Sequence, residues 1–295
     1  MILELKNISK NFGEKLVLDG VSFVAEGGRA FGLLGRNGAG KTTTIRILMN
    51  VFPQNSGEIL LDGKPIDYTN VGFGYLPEER GLYAKKKIID QLVYFAELKG
   101  MSHKDAISAC DRWLDRLGMT EYRNKRLMTL SKGNQQKIQL VTALAHNPDI
   151  IILDEPFSGL DPVNAMLLKD VVREQIALGK IVLFSSHQMS YIEEFCDSIA
   201  ILSGGKVAIT GDLSKIKRDY PRDRIVVRSE SVSEIAEQFP ECELLDENNL
   251  IIKLKSPEEK AAVMKSLCAK YDVDEIKVFE PSLNDIFVEY AKDGV

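Results

Sequence analysis

Residues 1–12 alternate apolar and polar side chains in the two-residue period of a strand, which also separates this stretch from a signal peptide. Within and after it, Leu3–Leu5 and Val21–Val24 read as short strands flanking a turn around Asn11–Gly13. Glu58–Leu61 followed by Asp62 and Gly63 carries the signature of a hairpin. Ala30–Leu34, Ile150–Leu153 and Ile181–Phe184 differ, because they are unbroken apolar runs, the pattern of parallel strands buried on both faces. Helical patterns lie between them. The spacing therefore predicts an α/β sheet with an antiparallel flank.

From Ile88 to Ala145 the period becomes helical, with Ile107, Cys110, Trp113, Leu114 and Leu117 recurring on one face. This predicts a helical subdomain at about residues 88–145, inserted into an α/β domain covering 1–215, with Trp113 in its core. After Gly211 the composition shifts to the charged, proline-containing boundary Lys215–Arg222. Beyond it, strands at 224–227, 243–245, 250–254 and 275–278 alternate with helices at 232–239 and 257–271, and a last helix runs through 283–291. The order βαββαβ predicts a second, small α+β domain over 222–295.

Composition narrows the function classes. A hydrophobic content of 44%, a charged content of 27% and a net charge of −5 describe an ordinary globular chain, with no support for a nucleic-acid partner. The compact basic run Lys85–Lys87 reads as a solvated loop. Four cysteines show no paired spacing, which argues against a zinc site or a disulfide framework and suits a reducing compartment. Cys110, Cys196 and Cys268 fall in apolar helical patterns and are expected to be buried thiols. No apolar run reaches the length of a membrane span, so the expected location is cytoplasmic.

Four features carry chemistry. Gly35, Arg36, Asn37, Gly38, Ala39, Gly40, Lys41 and Thr42 follow an apolar strand and precede a helix that includes Thr43. Glycines at this spacing let backbone N–H groups curl round a phosphate, Lys41 adds positive charge, and the Thr42 hydroxyl suits Mg2+. Asp154 and Glu155 close the second buried strand, where alternation sends neighbouring side chains to opposite sides: Asp154 toward a metal shell and Glu155 toward an attacking water. His187 follows the third buried strand at the end where α/β sheets collect ligand groups. In Leu130–Lys137, Ser131 is placed to cap a helix whose first turn leaves N–H groups facing an anion.

Taken in order, these residues resemble the ATP-binding cassette (ABC) ATPases, the nucleotide-binding subunits of transporters. The resemblance covers about residues 1–215. It rests on the phosphate loop, the signature-like Leu130–Asn134, Asp154-Glu155, the run Ser158–Asp161 and His187. It implies a P-loop NTPase core of the ABC type that uses ATP and Mg2+. Gly35, Asn37, Gly38, Ala39, Gly40, Lys41, Thr42 and Thr43 would hold the nucleotide, and Phe12 would stack on adenine. Lys41, Glu155 and His187 would take the catalytic roles, while Thr42, Asp154 and Glu78 would face the metal. It further implies two copies meeting head to tail, with Ser131, Gly133 and Asp161 facing the partner copy's nucleotide, and a separate transmembrane permease beside Glu79–Tyr83. That arrangement places the chain on the inner face of the cell membrane. A soluble ABC-type ATPase acting on ribosomes or DNA is the alternative reading.

Three positions depart from the family pattern. Glu78 stands where the lid loop usually has glutamine, and Lys132 and Asn134 replace a glycine and a glutamine of the signature. The last 75 or so residues are similar to the accessory domain of a bacterial branch that includes sodium- and drug-efflux ATPases.

Overall fold

The computed structural model describes residues 1–79, 81–186, 188–221 and 223–292. Along the first part of the chain run β1 (Ile2–Phe12), β2 (Lys15–Glu26), β3 (Ala30–Gly35), α1 (Lys41–Leu48), β4 (Ser56–Leu61), β5 (Lys64–Pro65) and β6 (Phe73–Leu76). A helical block follows, comprising α2 (Ile88–Leu98), α3 (His103–Arg116) and α4 (Lys132–Leu144). The chain then returns to β7 (Ile150–Asp154), α5 (Pro162–Ala177), β8 (Ile181–Ser185), α6 (Met189–Phe195), β9 (Ser198–Ser203), β10 (Lys206–Asp212) and α7 (Leu213–Asp219).

Two sheets form. One is antiparallel, in the order β2-β1-β4-β5; the other has six strands in the order β10-β9-β3-β8-β7-β6, parallel except for the β9–β10 pair. The unbroken apolar runs become β3, β7 and β8, and every residue of these three strands is buried. Ile45, Ile47 and Leu48 of α1 share one core with Leu3, Leu5 and Phe23 of the antiparallel sheet and with Leu33, Ile152 and Leu183 of the parallel one. Each such fully buried side chain contributes about 1.5–3 kcal/mol. Helices α4 and α5 cover the other face, where Leu140, Leu144, Val171 and Val172 meet Ile151, Leu153 and Val182.

Local chemistry sets the helix starts. Ser102 caps α3 by accepting from the Asp105 N–H, and Asp161 caps α5 by accepting from the Asn164 N–H, with Pro162 in the first turn. In the helical block, Leu92 and Val93 of α2 and Ala106, Cys110 and Leu114 of α3 are buried. Trp113 is only half-buried, because its helix is covered along the narrower stripe of Ala106, Ala109, Cys110 and Leu114.

By contacts the chain divides into Met1–Leu213 with Phe287–Val295, and Ser214–Ile286. The second unit contains β11 (Arg224–Arg228), α8 (Val232–Gln238), β12 (Glu243–Leu244), β13 (Asn249–Lys253), α9 (Lys260–Lys270) and β14 (Glu275–Val278); α10 (Leu283–Lys292) begins within it. Its antiparallel sheet, ordered β12-β13-β11-β14, buries Ile225, Val227, Leu250 and Ile252 against Val232, Ile235 and Leu267. Cys268 is exposed, contrary to the sequence expectation, since α9 buries Leu267 alone; Cys110 and Cys196 are buried as expected. Among the described residues, no helix is long and apolar enough to cross a membrane.

Candidate functional site

The parallel strands deliver the chemistry-bearing residues to one edge. Register pairs Leu76 of β6 with Leu153 of β7, Asp154 with Ser185 of β8, and Leu33 of β3 with Ser185. The loop after Gly35, the Asp154-Glu155 pair, Ser185-Ser186 and the segment Pro77–Glu79 therefore all begin at the C-terminal ends of neighbouring strands, where open α/β sheets bind ligands.

Between β3 and α1 the backbone coils back on itself. Gly38 and Gly40 adopt φ of +84° and +109°, a region closed to most side chains, and a Cβ on Gly40 would lie 2.4 Å from Leu18 Cδ2. Ala39 N–H donates to Arg36 O and Thr44 N–H to Gly40 O. The N–H groups of Gly38, Gly40, Lys41, Thr42 and Thr43 have no acceptor among the described residues. Such a bank of unpaired donors at a helix N-terminus is the chemistry of a phosphate cradle. Lys41 Nζ donates to Gly35 O at 2.6 Å, so its ammonium lies against the loop it belongs to. Burial pushes that ammonium down from its ordinary value, while the negative charges of Glu155, Asp154 and Glu78 act in the opposite direction.

Asp154 and Glu155 are both buried. Burial pushes the Asp154 carboxyl up, and the adjacent Glu155 charge adds to the shift. Tyr75 Oη approaches Asp154 Oδ2 at 3.4 Å, and burial raises that phenol to about 12, so it stays a donor. Strand alternation does not place Glu155: β7 ends at Asp154, and Glu155 turns to φ +49°. Among the described residues the other non-glycine positive-φ positions are Asn7, Asn50, Asp62 and Asn147. These are the residue types that tolerate the left-handed region, so Glu155 stands apart. Its N–H donates to Ser185 O at 2.8 Å, its carbonyl accepts from Ser158 N–H, and its Oε2 accepts from Ser186 Oγ at 2.9 Å.

Pro77–Glu79 is held by α4: the buried Gln139 donates from Nε2 to Pro77 O at 3.3 Å and to Glu79 O at 3.0 Å. Glu78 itself is exposed. At the other end of α4, Ser131 Oγ accepts from Asn134 N–H at 3.3 Å, the cap expected from the sequence. Gly133 is buried, and a Cβ there would lie 2.7 Å from Asn164 Nδ2 and 3.7 Å from Asp161 Oδ2. Gln136 Nε2 donates to Pro156 O at 2.7 Å. The start of α4 is thus packed on the segment that follows Glu155. Backbone donation from Asn164 holds the exposed Asp161 carboxylate below the usual range.

Phe12 is 49% exposed and meets Phe52 edge-on at 5.4 Å, with the Lys10 ammonium 5.4 Å from its ring centre. Lys10 pairs with Leu18, the residue that touches Gly40, so Phe12 lies two positions beyond the strand residue opposite the phosphate loop. His187 lies outside the described residues. Sequence reasoning missed Tyr75, Gln139 and Ser186, whose partners are distant in sequence. Only Ser186, next to His187, carried a positional hint.

The ABC transporter family pattern matches residues 18–158, and that of the C-terminal domain of DrrA1-3-like ATP-binding proteins matches 211–291. The uncharacterized ABC transporter ATP-binding protein YhaQ of Bacillus subtilis (strain 168) is 41% identical over 98% of this chain and 98% of its own length. The Nod factor export ATP-binding protein I of Burkholderia lata is 32% identical over 71% of this chain and 70% of its own. A solved structure of an ATP-binding subunit of an ABC transporter superposes with a TM-score of 0.68 at 32% identity, covering 75% of this chain and 93% of that one.

Proposed function

The chain belongs to the family of ABC transporter ATP-binding proteins and is an ATPase, and from that premise we propose that it powers an exporter. Support for export comes from the relative named for Nod factor export. The working unit is a pair of copies coupled to a separate transmembrane permease. Leu82 and the exposed Tyr83, which stacks on Phe95, offer the permease an apolar contact beside the lid segment.

The observation that carries the reading is the convergence of unpaired N–H donors, Lys41 and the Asp154-Glu155 pair at one sheet edge. The loop amides of Gly38, Gly40, Lys41, Thr42 and Thr43 and the Lys41 ammonium bind the nucleotide's phosphates. Gly35, Asn37 and Ala39 shape that loop, and Phe12 receives the base. Glu155 orients and deprotonates the attacking water. His187 contacts the γ-phosphate. Ser131 and Gly133, with Asp161 beside them, face the nucleotide of the other copy.

Thr42, Asp154 and Glu78 would supply an all-oxygen donor set, which suits Mg2+. No group of three or more acidic, histidine or cysteine side chains among the described residues forms a cage. When bound, the ion neutralises charge on the β- and γ-phosphates.

Glu155→Gln tests the reading. ATP hydrolysis is expected to collapse while an ATP-bound dimer accumulates on size-exclusion chromatography. Turnover at the wild-type rate would remove Glu155 from the role.

A further inference from the structure

We infer that Ser186 is a positioning residue for hydrolysis, fixing the Glu155 carboxylate in the orientation from which it acts on water. The inference rests on the reading of Glu155 as the group that activates water.

Three observations carry it. First, Ser186 is 2% exposed, and its hydroxyl donates to Glu155 Oε2 at 2.9 Å. Second, the Ser186 hydroxyl oxygen accepts the N–H of Gln188 at 3.1 Å. A hydroxyl has one proton, and with its oxygen occupied by an amide the proton is directed to the carboxylate. Third, the main chain of Glu155 is tied to the neighbouring residue, since its N–H donates to Ser185 O at 2.8 Å. Main chain and carboxylate of Glu155 are therefore both referenced to the exit of β8.

This arrangement solves a geometric problem. A glutamate has three rotatable side-chain bonds, and Glu155 sits in a left-handed turn that gives it no strand-like direction. A general base must stay within hydrogen-bond reach of the proton it removes. Fixing one carboxylate oxygen on Ser186 sets the direction of the other. A hydrogen bond to an ionised carboxylate is among the stronger kinds. Burial on both sides keeps water from replacing the hydroxyl.

The test is Ser186→Ala beside Ser186→Thr in the full chain, with ATPase kinetics at saturating Mg2+. Ser186→Ala is expected to lower kcat by about tenfold or more, the scale on which supporting hydrogen-bond partners act. KM for ATP should stay within about twofold, because the phosphate loop is untouched, and Ser186→Thr should recover most of the rate. A wild-type or raised kcat in Ser186→Ala would overturn the inference. So would a matching change in KM, or a Thr variant as slow as the Ala variant, since each indicates a structural effect. Glu155→Gln measured alongside separates the two claims: normal turnover there removes the premise, whereas its collapse with an active Ser186→Ala removes only the role of Ser186.

Discussion

Gln139 and Glu79 are joined across 60 residues of sequence: the side-chain amide of the first donates to the carbonyl of the second at 3.0 Å. The same nitrogen reaches Pro77 O, so α4 holds both ends of the short segment carrying Glu78. Gln139→Met keeps the volume and removes the donor. Two carbonyls then lose their partner, at a cost of about 1–3 kcal/mol. Urea unfolding is expected to show that loss, and hydrogen exchange should speed up at Glu78 and Glu79. Unchanged exchange there would mean that the segment is held by something else.

Lys132 occupies a family glycine position at the first turn of α4, yet it is exposed. An exposed ammonium at this position is expected to remain in water. Lys132→Gly is expected to leave ATP-dependent dimerisation of the chain unchanged, as read by size-exclusion chromatography with Mg2+ and ATP. A clearly weakened dimer would assign the ammonium to phosphate.

Lys180 gives the fold a dependence on alkaline pH. Its buried ammonium donates to Asn147 Oδ1 and Gln175 Oε1, each at 2.7 Å, and burial lowers its pKa against the opposing charge of Asp149. Between the lowered folded value and the ordinary 10.5, the unfolded chain binds more protons than the folded one. Stability therefore rises with pH across that window. Denaturant unfolding from about pH 8 upward should show wild type gaining on Lys180→Met as the pH approaches 10.5. Parallel curves would show that folding leaves the Lys180 pKa unshifted.

Phe12 offers an exposed ring braced by Phe52 and Lys10. Phe12→Ala is expected to weaken ATP binding by about 1–3 kcal/mol, the range for stacking on an aromatic side chain. Binding of inorganic triphosphate, which has no base, should not change. Titration calorimetry with both ligands checks this, and an equal loss for the two would move the base elsewhere.

What the sequence revealed depended on how local the cause was. The phosphate loop was legible because glycine spacing alone dictates its backbone, and β3, β7 and β8 because their burial leaves no polar positions. Ser131 as a cap was equally local. Trp113 and Cys268 went astray for a different reason: helical periodicity gives the direction of a face, and the neighbours decide how wide a stripe they cover. Tyr75, Gln139 and Ser186 act on partners 79, 60 and 31 residues away, and no local pattern announces such pairs.

The backbone of Glu155 has an evolutionary consequence. A left-handed glutamate costs about 1–2 kcal/mol relative to an ordinary conformation, and glycine or asparagine would relieve most of it. Selection for heat resistance alone, with no demand for turnover, should therefore drift toward Gly or Asn at position 155. Libraries screened only for folding would then enrich idle chains. A natural lineage that keeps glutamate there bears a standing load on stability, which only continued use of the carboxylate can maintain.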